Sequence, residues 1–184
     1  MYSHQRLIES NRWFIRLRWL FIGAISLGTY IFSSVFPVLQ RSIAIYSLAF
    51  SLVLLNIFYL RYLKELRIQQ DAGLLLRQLR NFIHVQIGLD LLILTAIIHF
   101  SGGADNAIHY FFIFHVLLAG IILGRKESLF YATLAVFLYG GLITLEHLGV
   151  IPHCSLVGVA FGELHLDYFY MLSDFFVFLW RRKS

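Results

Sequence analysis

The chain has 184 residues, of which 59% are hydrophobic and only 14% are charged, and its mean hydropathy is +0.76. A soluble domain carries about 25% charged residues. The composition therefore excludes an ordinary soluble domain and indicates an integral membrane protein. The net charge of +5 does not indicate nucleic-acid binding, because the basic residues flank long apolar runs.

Six apolar runs predict an all-α polytopic membrane protein, with one six-helix transmembrane domain over residues 1–184. Each span has to be helical because lipid offers no partner to backbone N–H and C=O groups. The last run is short, since a crossing needs about 20 residues. The predicted spans lie at approximately 13–36, 42–63, 81–100, 108–123, 128–150 and 167–180.

The segment 64–80 breaks the apolar pattern between the second and third spans. Leucines alternate there with basic residues, which predicts an amphipathic helix at the membrane surface. The alternative is that this segment simply extends the neighbouring spans.

The basic residues predict the orientation of the chain. Fourteen of the fifteen Lys and Arg precede span one or start it, or lie in the 61–80 connection, at 125–126 or after span six; Arg41 is the exception. The positive-inside rule then places both termini in the cytoplasm, for a bacterial inner membrane protein. Arg16 and Arg18, near the start of span one, are expected to snorkel to the interface beside Trp13 and Trp19.

Residues 99–115 contain a compact polar turn between two apolar runs. Its core, Ser101 to Asn106, has no bulky apolar side chain, and three histidines frame it: His99, His109 and His115. Gly102 and Gly103 allow a ligand to approach the backbone closely, because they carry no Cβ. The polar groups at the ends of spans three to five are expected to line one rim of the bundle.

Three interpretations of this histidine-rich rim remain open. The first is a set of interfacial histidines in contact with water. The second is a quinone headgroup site, in which Asn106 and His109 donate hydrogen bonds to the ring carbonyls beside an apolar groove. The third is haem b with His99 or His115 as an axial ligand, although no span repeats histidines on one face. No metal motif is present.

Several ionisable groups are predicted to lie within the spans. Such groups are costly in lipid, so each is either functional or satisfied by a partner. Asp90 and Asp174 are candidates for a proton relay, and a structural link between spans is the alternative. Gln86 shares a helical face with Asp90, because the two are four residues apart.

The run Leu91–Asn106, continuing into Phe111-Phe112-Ile113-Phe114-His115-Val116, resembles the membrane domain of RegB/PrrB-type redox sensor histidine kinases. Arg16-Leu17-Arg18-Trp19-Leu20 and Ile151-Pro152-His153 are also similar to that family. The resemblance covers most of the chain. It implies six spans and a ubiquinone-binding Gly-Gly-x-x-Asn-Pro-Phe turn, of which Gly102, Gly103 and Asn106 are present. Ala107 and Ile108 stand in place of the Pro and Phe.

The resemblance implies a membrane domain that senses the quinone pool, ubiquinone or menaquinone, for a two-component system. The cofactor site would comprise Gly102, Gly103, Asn106 and His109, with His99 and His115 beside it. The sequence holds no kinase catalytic domain, so we expect no catalysis in this chain. It is either a stand-alone sensor or a piece of a longer kinase, with a homodimer or a cytoplasmic signalling partner. The alternatives are a haem b or quinol-linked electron-transfer subunit and a ligand-free structural subunit.

Overall fold

The computed structural model describes residues 2–35, 41–66, 71–103 and 107–152, and the regular structure in these ranges is entirely helical. A π turn over Ile31–Val35 ends the first helix, and a 3-10 turn over Ala107–Tyr110 precedes the fourth. The helices are α1 (Tyr2–Tyr30), α2 (Ser42–Leu66), α3 (Ala72–Phe100), α4 (Phe111–Ile122) and α5 (Arg125–His147).

Four helical stretches are long and apolar enough to cross a membrane, and they are Arg6–Ser34, Ser42–Leu66, Gly73–Phe100 and Arg125–His147. Ile108–Ile122 forms a shorter apolar helix. The prediction of an all-helical membrane protein is confirmed to this extent. The predicted sixth span, 167–180, lies outside the described residues.

The prediction of a separate amphipathic helix over 64–80 is wrong where the structure describes that segment. Helix α2 continues to Leu66, and α3 already begins at Ala72. The Asp71 side chain caps α3, because its Oδ1 accepts hydrogen bonds from the N–H groups of Gly73 and Leu74, at 2.8 and 3.2 Å. Leu75 and Leu79 are buried, so they extend the core stripe of α3 instead of a surface helix.

Helix α3 is the central element of the bundle. Half of the residues in its 18-residue apolar stretch are buried, against 28% in the corresponding stretch of each of the other three long helices. It packs against α1, α2, α4 and α5. Side-chain pairs connect it to α5 at a constant offset of 47 residues, which shows that the two helices run parallel in register: Arg80–Glu127, His84–Tyr131 and His99–Glu146.

The bundle has two chemically different ends. We call the end where α1, α3 and α5 begin the basic end, and it carries Arg6, Lys64, Arg80, Arg125 and Lys126. We call the opposite end, where α3 leads into Ser101–Gly103, the turn end. Large apolar side chains such as Leu20, Phe50, Ile121 and Phe137 are exposed on the outer faces between the ends, as expected of helices that face lipid.

Candidate functional site

A buried ion pair joins α1 to α3 in the middle of the bundle. Arg18 donates to one carboxylate oxygen of Asp90, Oδ2, from Nη2 at 2.6 Å and from Nε at 3.1 Å. The two side chains are only 3% and 5% exposed. The expectation that Arg18 snorkels to the interface is therefore wrong, because a buried carboxylate holds it in the core.

The surroundings of Arg18 fix the guanidinium in place. Nη1 donates to Asn56 Oδ1 at 2.9 Å, and the Asn56 amide in turn donates to the carbonyl of Ile15. The rings of Phe14 and Tyr59 lie 4.8 and 4.6 Å from the guanidinium carbon, close enough for cation–π attraction. A guanidinium has five N–H groups, and the hydrogen bonds among the described residues use three of them.

A cavity of about 260 Å³ opens beside this ion pair, between α1 and α4. Its polar lining consists of Arg18, Asp90 and His115. The remaining lining is apolar, and Leu20, Phe111 and Phe114 at its rim are partly exposed on the face of the bundle. The rest of the apolar wall is formed by Phe14, Leu17, Phe21, Ala24, Leu52, Ile93 and Leu94.

The cavity opens sideways, on the outer face of the bundle, because exposed side chains of that face belong to its lining. Phe21 and Phe111 meet edge to face, with ring centroids 5.3 Å apart, and so connect α1 to α4 at the turn-end side of the cavity. The volume is near the lower limit of about 300 Å³ for ligand pockets.

His115, which lines the cavity, carries a hydrogen-bond acceptor. Its Nδ1 lies 2.9 Å from the carbonyl oxygen of Phe111. Because a carbonyl only accepts, Nδ1 carries the proton, and in the neutral ring Nε2 then keeps its lone pair. The cavity therefore combines spare N–H donors of Arg18 with an acceptor on His115.

The predicted glycine turn is packed against α5. Ser101, Gly102 and Gly103 are buried. A Cβ placed on Gly103, whose φ is +57°, would lie 2.5 Å from Glu146 Oε2, so the backbone there touches the carboxylate. Asn106 lies outside the described residues. Whether the turn binds a headgroup stays a prediction.

The three framing histidines occupy different environments. His99 Nδ1 contacts Glu146 Oε1 at 2.6 Å, and the His109 ring stacks on Tyr139 with centroids 5.1 Å apart. Of these three histidines, only His115 lines the cavity, where it joins the predicted relay residue Asp90. Within the described ranges, no three His, Cys, Asp or Glu side chains come close enough to hold a metal ion. The haem b interpretation stays a prediction.

Sequence reasoning identified Asp90 as an intramembrane group but missed that Arg18 pairs with it. The available signal was the rule that a charge within a span needs a partner. Arg18 is a charge in the first span, and Asp90 is a carboxylate in the third span that was expected to need a partner. Asp174, the other proposed relay residue, lies outside the described residues.

No protein-family model, curated protein or solved structure matches the chain. The fold and the cavity therefore define its class by themselves. The chain is a helical membrane protein with a buried Arg–Asp pair at the floor of a lateral apolar cavity.

Proposed function

We propose that the chain is a quinone-binding membrane sensor domain, and that the quinone ring occupies the lateral cavity between α1 and α4. One observation carries the proposal: an apolar cavity open at the side of the bundle has both a hydrogen-bond donor, Arg18, and an acceptor, His115, in its lining. A quinone diffuses within the bilayer, so a site entered from the side suits it. Ubiquinone and menaquinone share the ring chemistry that this site would recognise.

The two redox states of the ligand would bind differently. An oxidised quinone offers two carbonyl acceptors, which match the spare N–H groups of Arg18. A quinol offers two hydroxyl donors, one of which matches the lone pair on His115 Nε2. The ring would lie between the aromatic side chains of Phe21, Phe111 and Phe114, where offset or edge contacts with an aromatic ligand are favourable.

Membrane orientation follows from the charges. The basic end carries Arg6, Lys64, Arg80, Arg125 and Lys126, which supports its assignment to the cytoplasm of a bacterial inner membrane. With a sixth span, both termini would lie there. Helix α1 extends from the cavity to the basic end, so it would carry the ligand state to a cytoplasmic partner or kinase module. This sensor role agrees with the resemblance to RegB/PrrB-type membrane domains.

Quinone titration of two variants tests the site. The protein in lipid nanodiscs is titrated with decylubiquinone and decylubiquinol, and quenching of tryptophan fluorescence is followed, since Trp13 and Trp19 lie on α1. His115→Leu removes the acceptor and replaces the ring with an apolar side chain of similar volume. The loss of one hydrogen bond of about 1.4 kcal/mol would weaken quinol binding about tenfold.

Asn106→Ala separates the cavity from the glycine turn. A headgroup site at the turn requires that Asn106→Ala lowers quinone affinity, whereas the cavity requires that His115→Leu does so. Unchanged quinol affinity in His115→Leu would contradict the cavity proposal. Absence of saturable quinone binding to the unsubstituted protein would contradict quinone sensing altogether.

A further inference from the structure

Asp90 of the ion pair and three buried side chains nearer the basic end hold polar atoms that have no protein partner among the described residues. Among the residues that the structure describes, neither amide atom of Asn11 or Gln86 has a hydrogen-bond partner, and neither does the Tyr59 hydroxyl or Asp90 Oδ1. Buried polar atoms are almost always hydrogen-bonded, because leaving them unpaired costs free energy. These six atoms therefore require a partner that is not a described protein group.

Their burial excludes lipid or a second copy of the chain as that partner. Asn11 and Gln86 are both 0% exposed, and Tyr59 is 1% exposed. Only a molecule small enough to sit inside the bundle can reach them. Buried water serves this purpose in globular proteins, where each molecule makes two to four hydrogen bonds.

The four side chains follow one another along the helix axes. Asn11 precedes Arg18 by seven residues, which is close to two turns, so it lies on the same face of α1 about 10 Å nearer the basic end. Gln86 precedes Asp90 by one turn of α3, about 6 Å in the same direction. The Arg18–Asp90 pair sets the register of these two helices.

Tyr59, on α2, lies beside both the ion pair and the segment of α3 that carries Gln86. Its ring lies 4.6 Å from the guanidinium carbon of Arg18 and 5.4 Å from the ring of Phe82, which is one turn below Gln86. The hydroxyl of Tyr59 therefore belongs to the same axial region as the Gln86 amide. Polar atoms from α1, α2 and α3 thus lie within about 10 Å of one another along the bundle axis, among apolar core side chains.

A recess lies at the basic end of the bundle, the end to which Asn11 is nearest among these four residues. It has a volume of about 290 Å³ and is lined by Arg6, Leu7, Ser10, Arg80, Ile122 and Gly124, among others. Ser10 is the neighbour of Asn11 in the chain. Its lining includes Arg6, Ser10 and Arg80, which pairs with Glu127, and it opens at the basic end, where bulk water has access to it.

We propose that Asn11, Gln86 and Tyr59 bind a file of internal water molecules that leads from this basic-end recess to Oδ1 of Asp90. The file satisfies each orphaned atom and gives the buried carboxylate a connection to water on one side of the membrane. This connection would let the polar floor of the proposed quinone site exchange protons with that water; that consequence rests on the proposed function, whereas the water file itself does not.

Radiolytic footprinting tests the file through two matched tyrosines. X-ray radiolysis generates hydroxyl radicals from water, including water bound inside a protein, and side chains beside that water are oxidised. Tyr59 and Tyr131 are 1% and 2% exposed. Tyr131 is satisfied by protein, since its hydroxyl donates to the carbonyl of His84 and contacts His84 Nδ1, at 2.9 Å each.

We expect Tyr59 to be oxidised several-fold faster than Tyr131 in the unsubstituted protein in nanodiscs. Gln86→Leu and Asn11→Leu should each lower the Tyr59 rate towards that of Tyr131, and Gln86→Glu should keep it high. Equal, slow oxidation of both tyrosines in the unsubstituted protein would overturn the proposal, and this comparison needs no variant to fold. A Tyr59 rate that is unaffected in correctly folded Gln86→Leu and Asn11→Leu would also overturn it. Quinone titration is a separate measurement, so the outcome of the footprinting experiment does not decide whether the protein binds quinone.

Discussion

Arg18 on α1 donates two hydrogen bonds to a single oxygen of Asp90 on α3, across 72 residues of sequence. Pairing through one oxygen leaves Asp90 Oδ1 without a partner among the described residues. The pair thus fixes the register of two parallel helices and leaves Oδ1 as an unused acceptor. Its position beside the cavity makes it both a structural link and the polar floor of the proposed site.

Removing one member of this pair should destabilise the bundle strongly. Arg18→Met and Asp90→Leu each leave one buried charge unpaired, which costs about 3–5 kcal/mol. The double variant leaves no charge and should recover most of that loss. Unfolding in a denaturing detergent measures the three free energies.

Arg16→Met is the matched control for the ion pair, because Arg16 is exposed on the same helix. A surface substitution of this kind changes stability by about 0.5 kcal/mol or less. If Arg18→Met were no more harmful than Arg16→Met, the ion pair would not hold α1 against α3. A double variant less stable than either single variant would point to the same conclusion.

Gly103→Ala should disrupt the contact between the glycine turn and α5. The new Cβ would lie 2.5 Å from Glu146 Oε2, and φ at this position is +57°. Gly149→Ala is the control, since φ there is +68° and nothing lies within 4 Å of the added Cβ. Both variants bear the cost of a left-handed residue, about 1–2 kcal/mol, and only Gly103→Ala adds a collision. Thermal unfolding should show Gly103→Ala as the less stable of the two. Equal stability would mean that the Glu146 side chain moves away from the new Cβ at no cost in free energy.

Gly120→Ala probes the close packing of α4 on α5. An added Cβ would meet Ser128 Oγ at 3.2 Å, and Ser128 Oγ itself donates to the carbonyl of Val116. At Gly141, on α5, an added Cβ meets nothing within 4 Å. Gly141→Ala should therefore gain the helix propensity of alanine, about 0.5–1 kcal/mol, and Gly120→Ala should lose part or all of that gain. Identical gains in unfolding free energy at both positions would show that α4 and α5 are not in tight contact at Gly120.

Ala24→Phe should block the lateral cavity without touching its polar floor. Ala24 lines the cavity and is exposed, so a ring added there occupies space that a ligand would need. Gly23→Phe is the control, because Gly23 is also exposed on α1 and a Cβ added there meets nothing within 4 Å. Decylubiquinone titration should show a marked loss of affinity in Ala24→Phe alone. Equal affinity in the two variants would place the ligand elsewhere.

The four long apolar helices that the structure describes were predictable because apolar runs of membrane length have few alternatives in lipid. The boundary of α3 was not predicted, because the basic residues among the leucines of 72–80 resemble a surface helix. Asp71 was the missed signal, since a capping residue just before an apolar periodic segment marks a helix start. Its capping hydrogen bonds place the start of α3 at Ala72.

The candidate site was less predictable than the spans. Asp90 is recognisable as an intramembrane charge, whereas Arg18 was predicted to lie at the interface, and nothing in the sequence says that the two meet. The closure of the turn at Gly103 depends on Glu146, which comes 43 residues later and on the parallel neighbour of α3. Such pairings arise from tertiary register, which the apolar pattern does not encode.

Photocrosslinking of a quinone tests the central claim most directly. An azido-ubiquinone is bound to the protein in nanodiscs and irradiated, and the labelled peptides are identified by mass spectrometry. The account predicts label on α1 between Leu17 and Ala24 and on α4 between Phe111 and His115, abolished by excess decylubiquinone and by Ala24→Phe. Label confined to residues 101–110, or spread evenly over the lipid-facing side chains, would contradict a quinone site in the lateral cavity.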